Sequence, residues 1–395
     1  MNSTDYTKKS YGRNAEIGDI FRHLEAGRDI SMPGPRRLGK TFVLDRLVDA
    51  GPSRGWCAIK AEVAGCTDTN IFFREVSSKI TDQLSKTNTT VGWFRQRIAQ
   101  VINPRTTNSG TWYQQPLSLD HETNFDRLIK GLNDDTGCKW VLLIDELPIF
   151  LKALHDQGTQ GIIAARNFMN QISRLRVNFP KVKWLITGSI GLEPLAQVGN
   201  YMGVLAKFEN YNLATLSHEQ ARDYLIDLPV IEGLPNRKRI TPAEADAIVC
   251  ATGWRSAYYL EKVALKLDGT PTDDEENAGK LTEAAVNRLL QPIELSTFGV
   301  WEEHLRKHYT LTDRTAAIEV LGALAKNPQG LRANVLLSAV GNPKITSEVL
   351  GQLLVRLDAD GFISVDQWAA SDPMVTFRNV LLRRWWLRFP PSATS

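Results

Sequence analysis

Apolar residues recur along this chain in two rhythms. Trp140-Val141-Leu142-Leu143-Ile144 is an unbroken apolar run, and Val182-Lys183-Trp184-Leu185-Ile186 and Cys57-Ala58-Ile59-Lys60-Ala61-Glu62-Val63 come close to one. Such runs suit strands buried on both faces of a parallel sheet. Asp29-Ile30-Ser31-Met32 reads as a shorter strand of the same kind. Between these runs the spacing changes to three and four. Ile17, Ile20, Phe21 and Leu24 share one face of a helix over Ala15–Ala26. Thr41–Val48 carries the same spacing, and so does Asn70–Leu84, with Ile71, Phe72, Val76, Ile80 and Leu84 on its apolar side. A further helical region runs from Ile162 to Phe179. Strands alternating with helices predict an α/β domain with a parallel sheet and helices on both faces.

The second half of the chain is mostly helical in pattern. Ser217-x-x-Gln220 and Thr241-x-x-Glu244 are capping boxes that open helices over Ser217–Leu228 and Pro242–Thr252. Gly253–Leu267 is amphipathic, and Asp268–Gly279, rich in Asp, Glu and Thr, reads as a solvated linker. Three helices follow, Ala316–Lys326, Leu331–Val340 and Thr346–Leu357. A hairpin of Phe362–Val365 and Met374–Phe377 comes next. Helix, helix, helix, then a β wing is the winged-helix variant of the helix-turn-helix. The expected domains are residues 1–212, a nucleotide-binding core; 213–309, a helical lid and linker; and 310–395, a winged helix.

Composition adds bounds rather than a function. The 395 residues exceed what one core usually serves, and 43% hydrophobic with 23% charged is ordinary for globular domains. A net charge of +3 does not by itself argue for nucleic acid. Cys57, Cys66, Cys138 and Cys250 form no CxxC pair, so reduced thiols are expected, with neither a zinc knuckle nor a disulfide framework. Residues 1–13 lack the apolar stretch of a signal peptide, and no run is long enough for a membrane span. These features predict a cytoplasmic protein with no membrane partner. Asn103–Asp120 reads as a long surface loop, where Trp112 and Tyr113 either meet a partner or tuck back onto the domain.

The chemistry is concentrated in three short segments. Gly34-Pro35-Arg36-Arg37-Leu38-Gly39-Lys40-Thr41 fits the phosphate-binding pattern G-x-x-x-x-G-K-[ST] without a mismatch. A triphosphate is a dense negative charge, held by inward backbone N–H groups and a helix N-terminus. Lys40 would reach the β- and γ-phosphates, and the Thr41 hydroxyl would ligate Mg2+. Asp145 and Glu146 end the strongest apolar run. At a strand's carboxyl end Asp145 is placed to hold magnesium, directly or through water, and Glu146 to activate the attacking water. Thr187 and Ser189, after the next run, are candidates to contact the γ-phosphate or that water. Tyr11-Gly12-Arg13 either lines an adenine pocket or forms a packing turn. Arg166, Arg174 and Arg176 are candidates for an arginine donated to a neighbour's site, with a solvated helix face as the simpler reading.

With these segments in hand, the chain resembles the archaeal-type ATPases at the border of AAA+ and STAND proteins. The resemblance rests on Tyr11-Gly12-Arg13, the loop Gly34–Thr41 with its double arginine, Leu142-Leu143-Ile144-Asp145-Glu146, and Leu185-Ile186-Thr187-Gly188-Ser189-Ile190-Gly191-Leu192. The tail Phe377-Arg378-Asn379-Val380-Leu381-Leu382-Arg383-Arg384-Trp385-Trp386 looks like that family's closing motif. The resemblance implies an ATPase core, a small helical lid, a C-terminal winged helix, ATP, Mg2+ and switching coupled to conformational change. The chain departs from it at Gly253-Trp254-Arg255-Ser256-Ala257-Tyr258-Tyr259-Leu260, which lacks the family's Gly-Gly-x-Pro-like turn; Arg255 is the candidate phosphate contact there.

Three outputs remain open at this level. One is a slow ATPase switch acting on a protein partner or through self-association, with an effector in a prokaryotic defence or conflict system among its outputs. Another is a DNA-binding ATPase of the replication-initiator or transposition-regulator type, resting on the wing and on Arg378, Arg383, Arg384 and Arg388. The third is a nucleotide-binding scaffold, against which Asp145 and Glu146 argue. Helix three offers Thr346, Ser347, Glu348, Gln352, Arg356 and Asp358, a poor footprint for phosphates. That composition favours a protein partner.

Overall fold

Continuous apolar runs that cannot meet water have to pair on both edges, and five strands do so here. In the computed structural model β1 (Ile30–Pro33), β2 (Trp56–Glu62), β3 (Lys139–Asp145), β4 (Val182–Gly188) and β5 (Glu209–Asn210) form one sheet in the order β2-β3-β4-β1-β5. Every neighbouring pair is parallel. The structure describes residues 13–86, 121–228, 239–368 and 370–391, so Tyr11 and the segment Asn103–Asp120 with Trp112 and Tyr113 lie outside the described residues. Contacts group the chain into two units. A sheet unit comprises Arg13–Gly34 and Lys40–Leu213. A helical unit takes in Pro35–Gly39 and everything from Ala214 onward.

Within the sheet unit, β3 is buried over Trp140–Asp145 and β4 over Trp184–Gly188. The expected helices are present at Asn14–Glu25, Lys40–Ala50, Thr69–Lys86 and Thr159–Asn178, joined by His121–Asp134 and Leu147–His155. Phe72, from the third of these, stacks on Phe150 at 5.0 Å and meets Phe168 edge-on at 4.6 Å. Each such ring buried contributes about 1.5–3 kcal/mol. This cluster locks three helices against one face of the sheet and thereby fixes where β3 and β4 end. The three arginines of Thr159–Asn178 are consumed inside the unit. Arg166 donates to the Gly199 carbonyl, Arg174 pairs with Asp126 and Arg176 with Asp29. Arg176 is nearly buried and lies over the Phe208 ring at 3.8 Å, so it is not a solvated side chain.

The helical unit begins as its capping boxes predict. Ser217 and Thr241 each accept the third-residue N–H, and Gln220 and Glu244 return the bond to the cap. The expected helix over Gly253–Leu267 is shorter, Ala257–Ala264, because Gly253 terminates the helix before it with a positive φ. The expected linker Asp268–Gly279 is helical from Glu275 onward. Asp274 caps that helix by accepting from the Asn277 N–H, which offsets the lack of apolar spacing in its first turn. Helices at Leu311–Ala325, Ala333–Val340 and Ser347–Ala359 follow. An antiparallel sheet of β6 (Leu331–Arg332), β8 (Met374–Phe377) and β7 (Ile363–Asp366) packs with them.

An aromatic string holds this unit together. Trp301 donates to the Tyr259 hydroxyl at 2.6 Å, Phe298 stacks on Trp385 at 4.8 Å, and Trp301 meets Phe362 at 4.9 Å. The closing motif supplies Trp385 and Trp386, both buried, with Asn379 capping its helix, Val380–Arg388, through the N–H groups of Leu381 and Leu382. The terminal arginines serve the same packing. Arg378 pairs with Asp358, Arg384 with Glu283, and Arg383 and Arg388 donate to the carbonyls of Ala325 and Leu290. The Arg384 bond holds the Glu283 carboxyl below its ordinary value.

The cysteines depart from expectation. Cys57 and Cys138 are joined in a disulfide across a sequence separation of 81, with Cα atoms 6.1 Å apart. No spacing pattern could announce this pair. The β2–β3 register, which sets Trp56 beside Lys139, is what brings the two together. Cys66 and Cys250 are free, and burial pushes the Cys66 thiol up to about 11, which leaves it protonated at neutral pH. Closing so long a loop stabilises the fold by about 2–4 kcal/mol through the unfolded chain. Dithiothreitol should therefore lower the guanidinium midpoint of the wild type and leave that of Cys57→Ser unmoved.

Candidate functional site

Parallel strands place their carboxyl ends along one rim, and three adjacent ones here carry the predicted chemistry. The register sets Ile144 opposite Ile186, and Met32 opposite Thr187. Asp145, Thr187 and the start of the segment Gly34–Thr41 after Pro33 therefore reach the rim at one level. A ligand at such a rim meets side chains and backbone groups from several strands at once.

Asp145 is the centre of this arrangement. It is 2% exposed, and one carboxylate oxygen, Oδ2, accepts from the Thr41 hydroxyl at 2.8 Å. Its other oxygen, Oδ1, accepts from the Thr187 hydroxyl. A carboxylate removed from water needs such donors to remain buried. Thr187, 1% exposed, accepts in turn from the Glu146 backbone N–H at 3.3 Å. One hydroxyl thus fixes both acids of the pair, a role the sequence pattern alone did not indicate.

Glu146 sits in the left-handed region at φ 62, ψ 37 and opens the helix Leu147–His155. A non-glycine residue there carries a cost of about 1–3 kcal/mol, and such strain gathers at functional positions. Its Oε2 accepts from the Ser189 N–H at 2.9 Å and from the Ser189 hydroxyl at 2.8 Å. The carboxylate is therefore held at the rim, beside Asp145 and in a fixed direction.

Lys40 and Thr41 begin the helix Lys40–Ala50. Lys40 is 5% exposed, and its ammonium donates to the Gly34 carbonyl at 2.5 Å. The ammonium is thus folded back on its own loop. Gly39 has φ +97, a conformation side chains rarely adopt, and the space around it is open. Pro35 and Leu38 are buried, Arg36 is half-buried and Arg37 is exposed, all as part of the helical unit.

The remaining candidates make bonds of their own. Arg13 is buried and pairs with Glu16 at 2.7 Å at the start of its helix. Arg255 donates to the Leu216 carbonyl at 2.7 Å, and Leu216 returns a bond to the Arg255 carbonyl, which makes Arg255 a tether within the helical unit. Its neighbour Ser256 donates to the Arg37 carbonyl, a contact to the loop that sequence reasoning did not single out. The residues fit magnesium on one observation. The Thr41 hydroxyl and the Asp145 carboxylate are paired hard oxygens at a helix start, and Mg2+ characteristically takes one or two such protein oxygens, completing its shell from phosphates and water. Among the described residues no group of three or more His, Cys, Asp or Glu side chains could hold a metal by itself.

Similar folds exist among solved structures. A Walker-type ATPase of Pyrococcus abyssi superposes with a TM-score of 0.62 at 15% identity, over 96% of this chain and 96% of that one. The ORC2 protein of Aeropyrum pernix, in ADPNP–ADP complexes, does so with a TM-score of 0.51 at 11% identity, over 95% of this chain and 92% of that one. At such identities the likeness shows the fold, and the fold is the α/β one of P-loop ATPases. No protein-family model matches the sequence, and no curated protein matches it. Among the described residues no helix is long and apolar enough to cross a membrane.

The Thr187 hydroxyl yields a clean test of this geometry. Thr187→Val leaves a buried carboxylate oxygen and the Glu146 N–H each short of a partner. It should destabilise the protein by about 1–3 kcal/mol in denaturant titration, while Thr187→Ser stays near wild type.

Proposed function

We propose that this chain binds ATP with Mg2+ and hydrolyses it slowly, and uses the nucleotide state to control a partner. The observation that carries this reading is the convergence of Lys40, Thr41, Asp145, Glu146, Thr187 and Ser189 at the carboxyl ends of β1, β3 and β4. An anhydride-cleaving site needs a cation for the phosphates, an oxygen pair for a metal, and a base beside them. Lys40, the Thr41–Asp145 pair and Glu146, all in one unit, support these three roles.

The roles follow from position. Arg36, Arg37, Leu38 and Gly39 would wrap the phosphates with backbone N–H groups, with Gly34, whose N–H donates to the Gly188 carbonyl, and Pro35, which has no N–H, shaping the turn, and the Lys40 ammonium would exchange the Gly34 carbonyl for the β- and γ-phosphate oxygens. Thr41 and Asp145 would hold magnesium, which neutralises charge on those oxygens when bound. Glu146 would take the proton of a water whose oxygen bonds to the γ-phosphorus as the bond to the β-phosphate oxygen breaks. ADP and inorganic phosphate leave. Ser189 already holds one Glu146 oxygen twice, which leaves the other oxygen to take the proton. Thr187 acts as the brace that keeps both acids aimed.

The partner is a protein on this reading, with residues 310–395 as a winged helix used for interaction rather than for base reading. Support comes from the arginines. Arg378 and Arg384 are paired with carboxylates inside the helical unit, which offsets their charge, and Arg383 and Arg388 have their guanidinium groups engaged by carbonyls there. The exposed face of Ser347–Ala359 presents Ser347, Glu348, Val349, Gln352 and Val355, which is neutral to acidic. An effector of a prokaryotic defence system is one output compatible with such a surface, in a cytoplasmic setting.

Turnover measured with and without duplex DNA tests the reading. Glu146→Gln should lose kcat by about 10²–10⁴-fold while retaining ATP affinity, and wild-type turnover should be indifferent to DNA. Wild-type rates in the variant would remove Glu146 from the role of base. Stimulation by DNA that falls steeply with salt would favour the replication-initiator reading instead.

A further inference from the structure

The phosphate-binding loop is not built by its own residues alone. Its tip, Pro35–Gly39, groups with the helical unit, and three contacts hold it there. The Ser256 hydroxyl, on a residue 1% exposed, donates to the Arg37 carbonyl. The Arg37 guanidinium lies over the Tyr258 ring at 4.2 Å. Pro35 lies against Gly361 so closely that a Cβ there would fall 2.0 Å from the Pro35 Cβ and 3.1 Å from its Cα.

These contacts bear on the part of the loop that has to be forced. Arg37 adopts φ 66, a left-handed conformation that a residue with a side chain resists. Left-handed residues within such a loop turn successive N–H groups into one concavity, which is what an anion needs. The peptide between Arg37 and Leu38 is trans, so its carbonyl and its N–H point in opposite directions. Fixing the Arg37 carbonyl on Ser256 therefore directs the Leu38 N–H away from Ser256 and fixes the plane of that peptide. The ring beneath the guanidinium holds the same residue by its side chain.

The far side of the clasp is itself rigid. Gly361 has φ +86 and bonds back to the Asp358 carbonyl at 3.0 Å. The preceding residue, Asp360, is 3% exposed and accepts from the His304 ring at 2.9 Å and from the Tyr309 hydroxyl at 2.8 Å. Pro35 thus meets a turn pinned by a buried polar network, not a mobile loop end.

We propose that Ser256, Tyr258 and Gly361 are positioning residues for the phosphate-binding loop: they hold Pro35–Gly39 in the conformation that receives the triphosphate. The proposal rests on the nucleotide reading for its ligand, but the clasp itself is a property of the loop. By linkage, whatever orders these residues tightens nucleotide binding, and nucleotide binding orders them by the same factor.

Amide hydrogen exchange of the full chain, together with titration of a fluorescent ATP analogue in magnesium, tests this. Ser256→Ala combined with Tyr258→Leu should speed exchange of residues 34–41 and weaken the analogue by about tenfold, the combined worth of one hydrogen bond and one cation–π contact. Ser256→Thr and Tyr258→Phe, which keep the hydroxyl and the ring, should stay near wild type in both readouts. Gly361→Ala should reproduce the double variant from the other side, at a thermal midpoint checked in parallel. In the wild type, saturating nucleotide should slow exchange across residues 256–260. Unchanged loop exchange and unchanged affinity in the double variant, with the fold intact, would overturn the clasp. Should the wild type take up no nucleotide at all, the ATP reading falls, and loop exchange alone decides the clasp.

Discussion

The sheet unit depends on one buried carboxylate. Asp145 ends the most apolar strand of the chain and would be costly there without partners. Two threonine hydroxyls, from the loop helix and from the neighbouring strand, supply them. This pairing makes the ends of β3 and β4 a single object and sets the distance from the acid pair to Lys40. Glu146 is strained into the left-handed region by the turn that follows, and Ser189 catches its carboxylate. The aromatic packing of Phe72, Phe150 and Phe168 serves the same end, because it holds the helices that keep those strand ends from moving.

Much of this was legible in the sequence because it is local. A loop with two glycines, lysine and threonine carries its chemistry in eight consecutive residues, and an apolar run ending in Asp-Glu locates itself at a strand end. The capping boxes at Ser217 and Thr241 are equally self-contained, and both are formed. The features that escaped are those joining distant segments. Cys57 and Cys138 meet only through strand register. The partner of Thr187 turned out to be Asp145, a question of which strands are neighbours. Ser256 and Gly361 look like ordinary small residues in a helix start and a turn, and only the close approach of Arg37 and Pro35 gives them meaning. Asp274 shows a smaller version of the same limit, since one capping bond turns an apparently solvated stretch into a helix.

Charge was the least transferable sequence signal. Seven arginines drew attention as candidates for a neighbour's site or for DNA, and every one is bonded within its own unit. Guanidinium groups suit this use, because their fork can satisfy a carboxylate or a carbonyl at a helix end while the stem packs on aromatic rings. Arg176 between Asp29 and Phe208 does both. In the closing motif such residues bond within the unit that buries Trp385 and Trp386.

On the proposed function, the rim at Lys40, Thr41 and Asp145 receives a magnesium-bound triphosphate. Isothermal calorimetry of the wild type and Lys40→Ala with ATP, in magnesium and then in excess chelator, addresses it most directly. One saturable site is expected in the wild type, weakening without magnesium and absent in Lys40→Ala. Equal binding by the variant, or no binding by the wild type under magnesium, would contradict it.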